Sequence, residues 1–301
     1  MAQISAALVK ELRERTGAGI GDCKKALEAT EGNLDAAAEK LRMDGAAKAD
    51  KKAGRTAAEG ILAIAEDGSA VAIVELNSET DFVAKAGEFR DLAKRAAEVA
   101  LKHRPASVEA LVAIEDGGES LDTQRRTLIA RIGENMAIRR FEVVEKSGGP
   151  LVTYMHPGDK TGVIVAMESG DEALARDLAM HIAAMSPIYL DVASIPAEMI
   201  EAERRVIEAQ VAEQAEGKPA EIVAKMVDGK LRKFAAEITL LGQPFVRNDA
   251  YGMKSDDAIA KVLEKTGSKV ARFVRFSVGE GIEKQKTDFA AEVMAQAGIK
   301  A

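Results

Sequence analysis

Apolar residues recur at helical spacing from the start of the chain. Ile4, Leu8 and Leu12 share one face of a predicted helix with Ser5 near its start, and Thr16-Gly17-Ala18-Gly19 breaks it. A second helix turns Cys23, Ala26 and Leu27 inward, with Thr30 near its end. Gly32-Asn33 introduces a third, with Leu34, Ala37, Ala38 and Leu41 inward. Together they predict a compact three-helix bundle. Residues 44–58 lose the apolar period and collect Lys48, Lys51, Lys52 and Arg55, which reads as a linker or a weak connecting helix.

From Gly60 the period shortens. Two apolar strands flank Glu66-Asp67-Gly68-Ser69 and predict a β-hairpin. A loop through Ser78-Glu79-Thr80-Asp81-Phe82 leads into a helix with Phe89, Leu92, Ala93, Ala96, Ala97 and Ala100 on its apolar face. A further helix around 122–135 precedes a strand at Ile138–Val144. The order then repeats. Leu151–Met155 and Val163–Met167 flank a His156-Pro157-Gly158-Asp159-Lys160 turn, and a helix with Leu174, Leu178, Ile182 and Met185 inward follows. The matching strand comes only at Val270–Val278, and IRRFEVVEKSGG and ARFVRFSVGEGIEK read alike. This predicts a duplicated α+β unit with antiparallel sheets, its second copy split by an insertion.

The insertion starts near Pro187. Residues 197–216 and 220–235 form an antiparallel helical hairpin with a narrow apolar seam and charged flanks, turned by Gly217-Lys218-Pro219. One more amphipathic helix is expected after Val278. The expected division is a three-helix module with linker at 1–54 and a first core unit at 55–146. A second core unit spans 147–190 and 238–278, with the hairpin at 191–237 and a C-terminal helical module at 279–301.

Composition narrows the function. Charged residues make up 30% of the 301-residue chain, with both signs interspersed, as on an ordinary soluble surface. The net charge of −7 argues against a nucleic-acid binder, which needs a basic footprint. The single cysteine forms no internal disulfide and no zinc spacing, and points to the reducing cytosol. The N-terminus lacks the apolar core of a signal peptide, and no apolar run is long enough to span a membrane, so a cytoplasmic location is expected.

Catalytic chemistry is sparse. Cys23 lies on the apolar face of a helix and reads as buried. His103, His156 and His181 are far apart, and His181 reads as a satisfied core histidine, so no metal site is expected. Gly158-Asp159-Lys160-Thr161 resembles the end of a P-loop, but Asp159 interrupts the Gly-Lys pair and position 153 is threonine. Gly279-Glu280-Gly281 lacks a third glycine. No cofactor and no direct nucleotide binding are expected. One loop stands apart. Thr80-Asp81-Phe82-Val83-Ala84-Lys85 is either a helix cap with Phe82 packed back as a staple, or a presented aromatic beside an acid.

That loop resembles the signature loop of the bacterial elongation factor Ts family. Leu12–Gly19 with Asp22–Leu27, Ile132-Gly133-Glu134-Asn135, Gly242-Gln243-Pro244-Phe245-Val246 and Gly279–Lys284 match the same family in the same order. The resemblance implies an N-terminal module like a ubiquitin-associated domain, two related α+β subdomains, a helical-hairpin insertion and a C-terminal helical module. It implies a non-enzymatic nucleotide-exchange factor whose partner is the GTPase elongation factor Tu, contacted at its GTPase domain and a second domain. Thr80, Asp81, Phe82 and Val83 would enter the GTPase domain, with Phe82 as a wedge that displaces the structure holding Mg²⁺. Arg13, Ile20, Gly21 and Lys24 would contact the same domain from the N-terminal module. Ile132 and Gly133 would lie near the first subdomain's contact surface, and His156 would help grip the partner from the second subdomain. Self-association through the hairpin is a further partner expectation. The chain departs from the family in having Ile20 and Gly21 where two methionines are common, and Ala86 after the signature loop. Two other readings remain open at this level: an adaptor that binds without exchange, and an enzyme using Cys23.

Overall fold

A computed structural model describes residues 4–214 and 219–283. Of the C-terminal helical module expected at 279–301, residues 279–283 form a turn rather than a helix and 284–301 lie outside the described residues, as do residues 215–218 at the hairpin turn.

Helices α1 (Ala6–Thr16), α2 (Ile20–Ala29) and α3 (Leu34–Lys52) close on a small core of Leu12, Cys23, Ala26, Leu27 and Ala37. Their ends follow from local chemistry. The Ser5 hydroxyl accepts the Leu8 N–H at 3.2 Å, and Asn33 accepts the Ala36 N–H at 3.0 Å. Gly17 adopts the left-handed conformation that ends α1. The stretch read as a linker or weak helix is helical as far as Lys52, so α3 runs for 19 residues. Its contact stripe is made of small residues, which carry no strong apolar period. Gly45 and Ala49 are buried, and a Cβ at Gly45 would come within 3.1 Å of the Ala130 Cβ. Ala130 belongs to α7 (Leu121–Ile132), and the Arg126–Asp50 pair at 2.8 Å fastens the same contact.

The first sheet is antiparallel, in the order β1 (Glu59–Glu66), β2 (Ala70–Ser78), β3 (Met136–Glu145). The second repeats that topology with β4 (Leu151–Met155), β5 (Thr161–Ser169) and β6 (Lys269–Ser277). In both, the last strand pairs with the second strand of the hairpin. The two sheets pack face to face with helices outside. On β2, Ala70, Ala72, Val74 and Leu76 meet Phe89, Leu92, Ala93 and Ala96 of α5 (Gly87–His103). Val71 and Ile73 turn the other way, onto Ile164, Ala166, Val274 and Phe276 of the second sheet. This explains why all nine β2 residues are buried. Gly162 permits the approach of the sheets, since a Cβ there would stand 2.9 Å from the Ile73 Cδ1. On the far side, Val163, Val165 and Met167 meet Leu174, Leu178 and Ile182 of α8 (Glu172–Met185), together with α11 (Ile259–Thr266).

The insertion is a pair of helices, α9 (Ala197–Gln214) and α10 (Ala220–Ile238), joined along Ile207, Val211, Val227 and Leu231. Its entry and exit meet at one point. The Ile188 and Tyr189 N–H groups donate to the Ile238 carbonyl at 2.9 and 3.1 Å, and the Leu240 N–H donates to the Tyr189 carbonyl at 2.8 Å. A hairpin whose ends coincide interrupts the second unit without displacing its sheet. Two helices that the pattern leaves unmarked are short: α6 (Val108–Ala113) buries Leu111, and α11 buries Ile259, Val262 and Leu263.

One carboxylate sits in the middle of this packing. Glu75 on β2 is fully buried and accepts hydrogen bonds from Arg139 (3.1 Å), Arg140 (2.5 Å), Asn77 (3.1 Å) and the Gly279 N–H (2.8 Å). The Arg140 guanidinium lies 4.2 Å from the Phe276 ring centroid and donates to the Ser277 carbonyl at 2.9 Å. Arg139 donates to the Glu280 carbonyl at 2.5 Å. Gly279 itself passes so close to Ala58 that a Cβ would stand 2.3 Å from the Ala58 carbonyl oxygen. The Gly279-Glu280-Gly281 motif is therefore a strap from the second sheet onto the first. Burial pushes the Glu75 carboxyl up, but the Gly279 N–H and the Arg140 and Asn77 hydrogen bonds outweigh it and hold it below the ordinary glutamate value. The resulting stability is fully present above that ordinary value and is lost as pH falls through the lowered one. Replacing Glu75 by Ala removes the buried carboxylate shared by Arg139 and Arg140, leaves Arg140 with Glu280 alone, and is expected to cost about 3 kcal/mol. Urea unfolding near neutral pH measures the loss, and the variant's remaining stability should fall less steeply in acid than the wild type's.

Candidate interaction site at the Thr80–Val83 turn

Beyond the end of β2 the chain makes a single helical turn, α4 (Asp81–Ala84). Thr80 occupies the N-cap position with extended backbone, but its side chain does not cap. The hydroxyl donates instead to Glu134 Oε1 at 2.8 Å, and the Thr80 N–H donates to Glu134 Oε2 at 3.0 Å. The Ser78 hydroxyl donates to the Thr80 carbonyl at 2.8 Å. Val83, 7% exposed, and Ala84 sink into the first core. Phe82 points the other way and is 79% exposed. The cap-and-staple arrangement is thus not formed: Thr80 bonds elsewhere and the Phe82 ring is left exposed. Val83, expected at the partner surface, instead has its side chain in the core, because a turn this short presents one face only by burying the other.

Asp81 pairs with Lys85 at 2.7 Å, and that hydrogen bond holds its carboxyl below the ordinary aspartate range. The Lys85 ammonium lies 5.9 Å from the Phe82 ring centroid. Glu59 and Lys160, themselves paired at 2.6 Å, both act on the Asp81 charge. Lys160 ends the turn that begins at His156, so the two turns are neighbours. His156 is exposed, with its Nδ1 3.1 Å from the Tyr154 hydroxyl. The His156 turn is fastened to the first unit. The Leu62 N–H donates to the Asp159 carbonyl at 2.8 Å, and Asp159 pairs with Arg90 of α5 at 2.5 Å.

Ile132 and Gly133 close α7. Ile132 is partly buried against the first core, and Gly133 ends the helix in the left-handed conformation. The Gly133 carbonyl accepts from Lys52 at 2.5 Å, which ties α7 to the end of α3. Asn135 donates its side-chain N–H groups to the carbonyls of Ala53 (3.3 Å) and Arg55 (2.7 Å), and its backbone N–H to Glu79 at 2.6 Å. On the N-terminal module Arg13 and Lys24 are exposed, and Lys24 lies 3.8 Å from Glu28. Ile20 is 59% exposed at the start of α2, and Gly21 faces open space. Ile20 and Lys24, four residues apart, share one outer face. The structure therefore brings Thr80–Val83 together with Ile132–Gly133 through Glu134, and sets Lys160, at the far end of the His156 turn, near Asp81. Arg13, Ile20, Gly21 and Lys24 are held on a module docked through α3.

Other candidate groups are structural. Cys23 is fully buried, with its thiol 3.6 Å from the Ala18 carbonyl. His181 is fully buried; its Nδ1 accepts the Val246 N–H at 3.4 Å, so Nε2 carries the proton toward Gln243 Oε1 at 2.9 Å. Burial pushes its pKa down and keeps the ring neutral. Gln243 also donates to the Glu237 carbonyl at 2.7 Å, and Phe245 stacks near the ring at 5.6 Å. The Gly242–Val246 motif thus fastens the exit of the insertion. Glu79 and Glu134 carry no periodic signal that marks them, and although Glu134 stands inside a motif, its partner Thr80 lies 54 residues away. Among the described residues no group of three or more His, Cys, Asp or Glu side chains comes together to hold a metal. Among them also, no helix is long and apolar enough to cross a membrane.

The comparisons with known proteins identify the class as a translation elongation factor of protein biosynthesis. The family model described as "Elongation factor TS" matches residues 79–280. The "Elongation factor Ts" of Thioalkalivibrio sulfidiphilus is 51% identical over 296 residues, covering 98% of each chain. That of Methylococcus capsulatus is 52% identical, covering 97% of this chain and 98% of its own. That of Aeromonas hydrophila is 49% identical over 98% of each. The chain belongs to the elongation factor Ts family.

Because Phe82 contributes nothing to the core, Phe82→Ala should leave unfolding free energy within about 0.5 kcal/mol of wild type. Val83→Ala, one residue on, should cost about 1.5–3 kcal/mol. Chemical denaturation of the two variants side by side checks that the turn separates a presenting side chain from an anchoring one.

Proposed function

We propose that this protein is a guanine-nucleotide exchange factor acting in the cytoplasm on elongation factor Tu. It binds the GDP-bound GTPase, displaces Mg²⁺, promotes GDP release and stabilises the empty GTPase until GTP binds. It breaks no covalent bond and binds no nucleotide itself. The observation that carries this reading is Phe82: an aromatic 79% exposed on a turn whose other face is locked into the core. Leaving such a ring in water costs hydrophobic free energy that a partner cleft recovers, and buried aromatic anchors dominate interface energetics. Asp81 beside it adds a charge suited to competing for the surroundings of a bound cation.

The remaining residues fit one partner surface. Arg13, Ile20, Gly21 and Lys24 meet the GTPase domain from the module at 1–54. Thr80, Asp81 and Phe82, with Ile132 and Gly133 behind them, meet it from the unit at 55–146. His156, on the unit at 147–190 and 238–278, grips a second domain. Val83 serves this surface from behind, by anchoring the turn. The hairpin at 191–237 carries exposed Val206 and Ile222, which supports self-association through it. The segment 279–301 begins with the strap that closes the two sheets.

An exchange factor must bind the empty GTPase better than the nucleotide-bound form, and linkage makes nucleotide weaken its own binding by the same factor. Accelerating release by about four decades requires about 5.5 kcal/mol of barrier lowering. Loss of Mg²⁺ removes charge neutralisation at the GDP phosphates and supplies part of it. The test is release of a fluorescent GDP analogue from elongation factor Tu. Substoichiometric protein should accelerate it, and Phe82→Ala should slow the catalysed rate about 30- to 1000-fold while the fold is kept. Binding without acceleration would instead make the protein an adaptor.

A further inference from the structure

We propose that Glu134 is a positioning residue for the Asp81–Phe82 turn, acting as half of a reciprocal carboxylate clamp. The inference rests on the exchange reading above. A four-residue helical turn has no stability of its own, since helix nucleation costs more than one turn returns. Val83 and Ala84 anchor one face of the turn in the core, Phe82 on the other face lends no packing, and the residue that starts the turn is held by hydrogen bonds at its base. Two loops meet there. The Glu134 carboxylate takes both donors of Thr80, its N–H at 3.0 Å and its hydroxyl at 2.8 Å. The Glu79 carboxylate takes the N–H of Asn135 at 2.6 Å. Each carboxylate thus binds the residue that follows the other. Two-point capture of Thr80 fixes both the position and the rotation of the residue that starts the turn. Without it Thr80 is free to cap α4 in the ordinary way, which rotates the turn and re-aims Phe82.

The clamp reaches further. The residues flanking Glu134 bond to the end of α3 and the chain after it, through the Gly133 carbonyl to Lys52 and the Asn135 amide to Ala53 and Arg55. Arg55 also lies 3.5 Å from Glu79. The N-terminal module and the Phe82 turn are therefore referenced to the same four residues, Ile132–Asn135.

The experiment measures catalysed GDP release from elongation factor Tu, resolved into kcat and KM, for Glu134→Ala, Glu134→Gln and Thr80→Val, alone and with Phe82→Ala. Misaiming the wedge should lower kcat about 10- to 100-fold for Glu134→Ala, with KM changed less than about threefold. Glu134→Gln keeps one acceptor for Thr80 and should fall between Glu134→Ala and wild type. In the Phe82→Ala background Glu134→Ala should cause less than about twofold further loss, because the residue acts through that ring. Hydrogen exchange at the Thr80 amide should quicken in Glu134→Ala while the amides of β2 stay protected, which separates loss of aim from loss of fold. Should Glu134→Ala not fold, Thr80→Val reads the same effect from the other side of the clamp. Losses that multiply with Phe82→Ala, or a Glu134→Ala protein with wild-type kcat beside an inactive Phe82→Ala, overturn the positioning role alone. A fully active Phe82→Ala overturns the wedge and the positioning role together.

Discussion

A fully buried carboxylate in the middle strand of a sheet is costly to desolvate unless every lone pair is answered. Glu75 is answered by two arginines from the neighbouring strand, an asparagine two residues along, and a backbone N–H from the far end of the second sheet. That last bond joins residues 204 positions apart in the chain. The Glu75 cluster therefore specifies how the two duplicated units register against each other. The apolar interface between the sheets supplies attraction, but Leu62, Ile73, Ile164 and Val274 would tolerate sliding. A charge with fixed hydrogen-bond partners does not. Arg140, clasped between Glu75 and the Phe276 ring, ties the polar and apolar parts of the interface into one contact.

With the units registered, the exposed features of the proposed partner surface acquire fixed positions. The His156 turn belongs to the second unit, yet it is hydrogen-bonded to β1 and paired with α5 of the first. Phe82 belongs to the first unit and is aimed by contacts at the base of its turn. The N-terminal module is held by small residues against α7 and by bonds to the Ile132–Asn135 loop. A protein that works by binding one state of a partner better than another gains from such rigidity. Any free energy spent ordering its own surface on contact is withdrawn from the discrimination between states.

Much of this architecture was legible in the chain. Periods of two and of about four residues located the helical bundle, both hairpins, their closing strands and the inserted helices. The reason is that each such element is amphipathic and its burial is dictated by its own side chains. Where the period failed, the elements were harder to see. The second half of α3 was ambiguous because its contact with α7 uses Gly45 and Ala49, which allow close approach without announcing it. The six-residue α6 buries only Leu111 and leaves no period, and the eight-residue α11 buries Ile259, Val262 and Leu263 but spans too few turns for its period to repeat.

At the site, the sequence by itself singled out the Thr80–Lys85 loop and, through motif resemblance, the family, but left open whether Phe82 was a staple or a presented ring. Only the tertiary structure decided that. Glu134, 54 residues away, draws off the Thr80 hydroxyl, so the local cap does not form, and the ring stands exposed. Likewise the sequence showed Glu75 as one acid in an apolar strand, and Gly279-Glu280-Gly281 as a weak glycine motif. Their roles emerged as partners in one buried network. Local periodicity reports what an element must bury. The partner of a polar group is chosen by whichever residues the fold carries to it, and for Glu75, Thr80 and Gly279 those residues lie far along the chain.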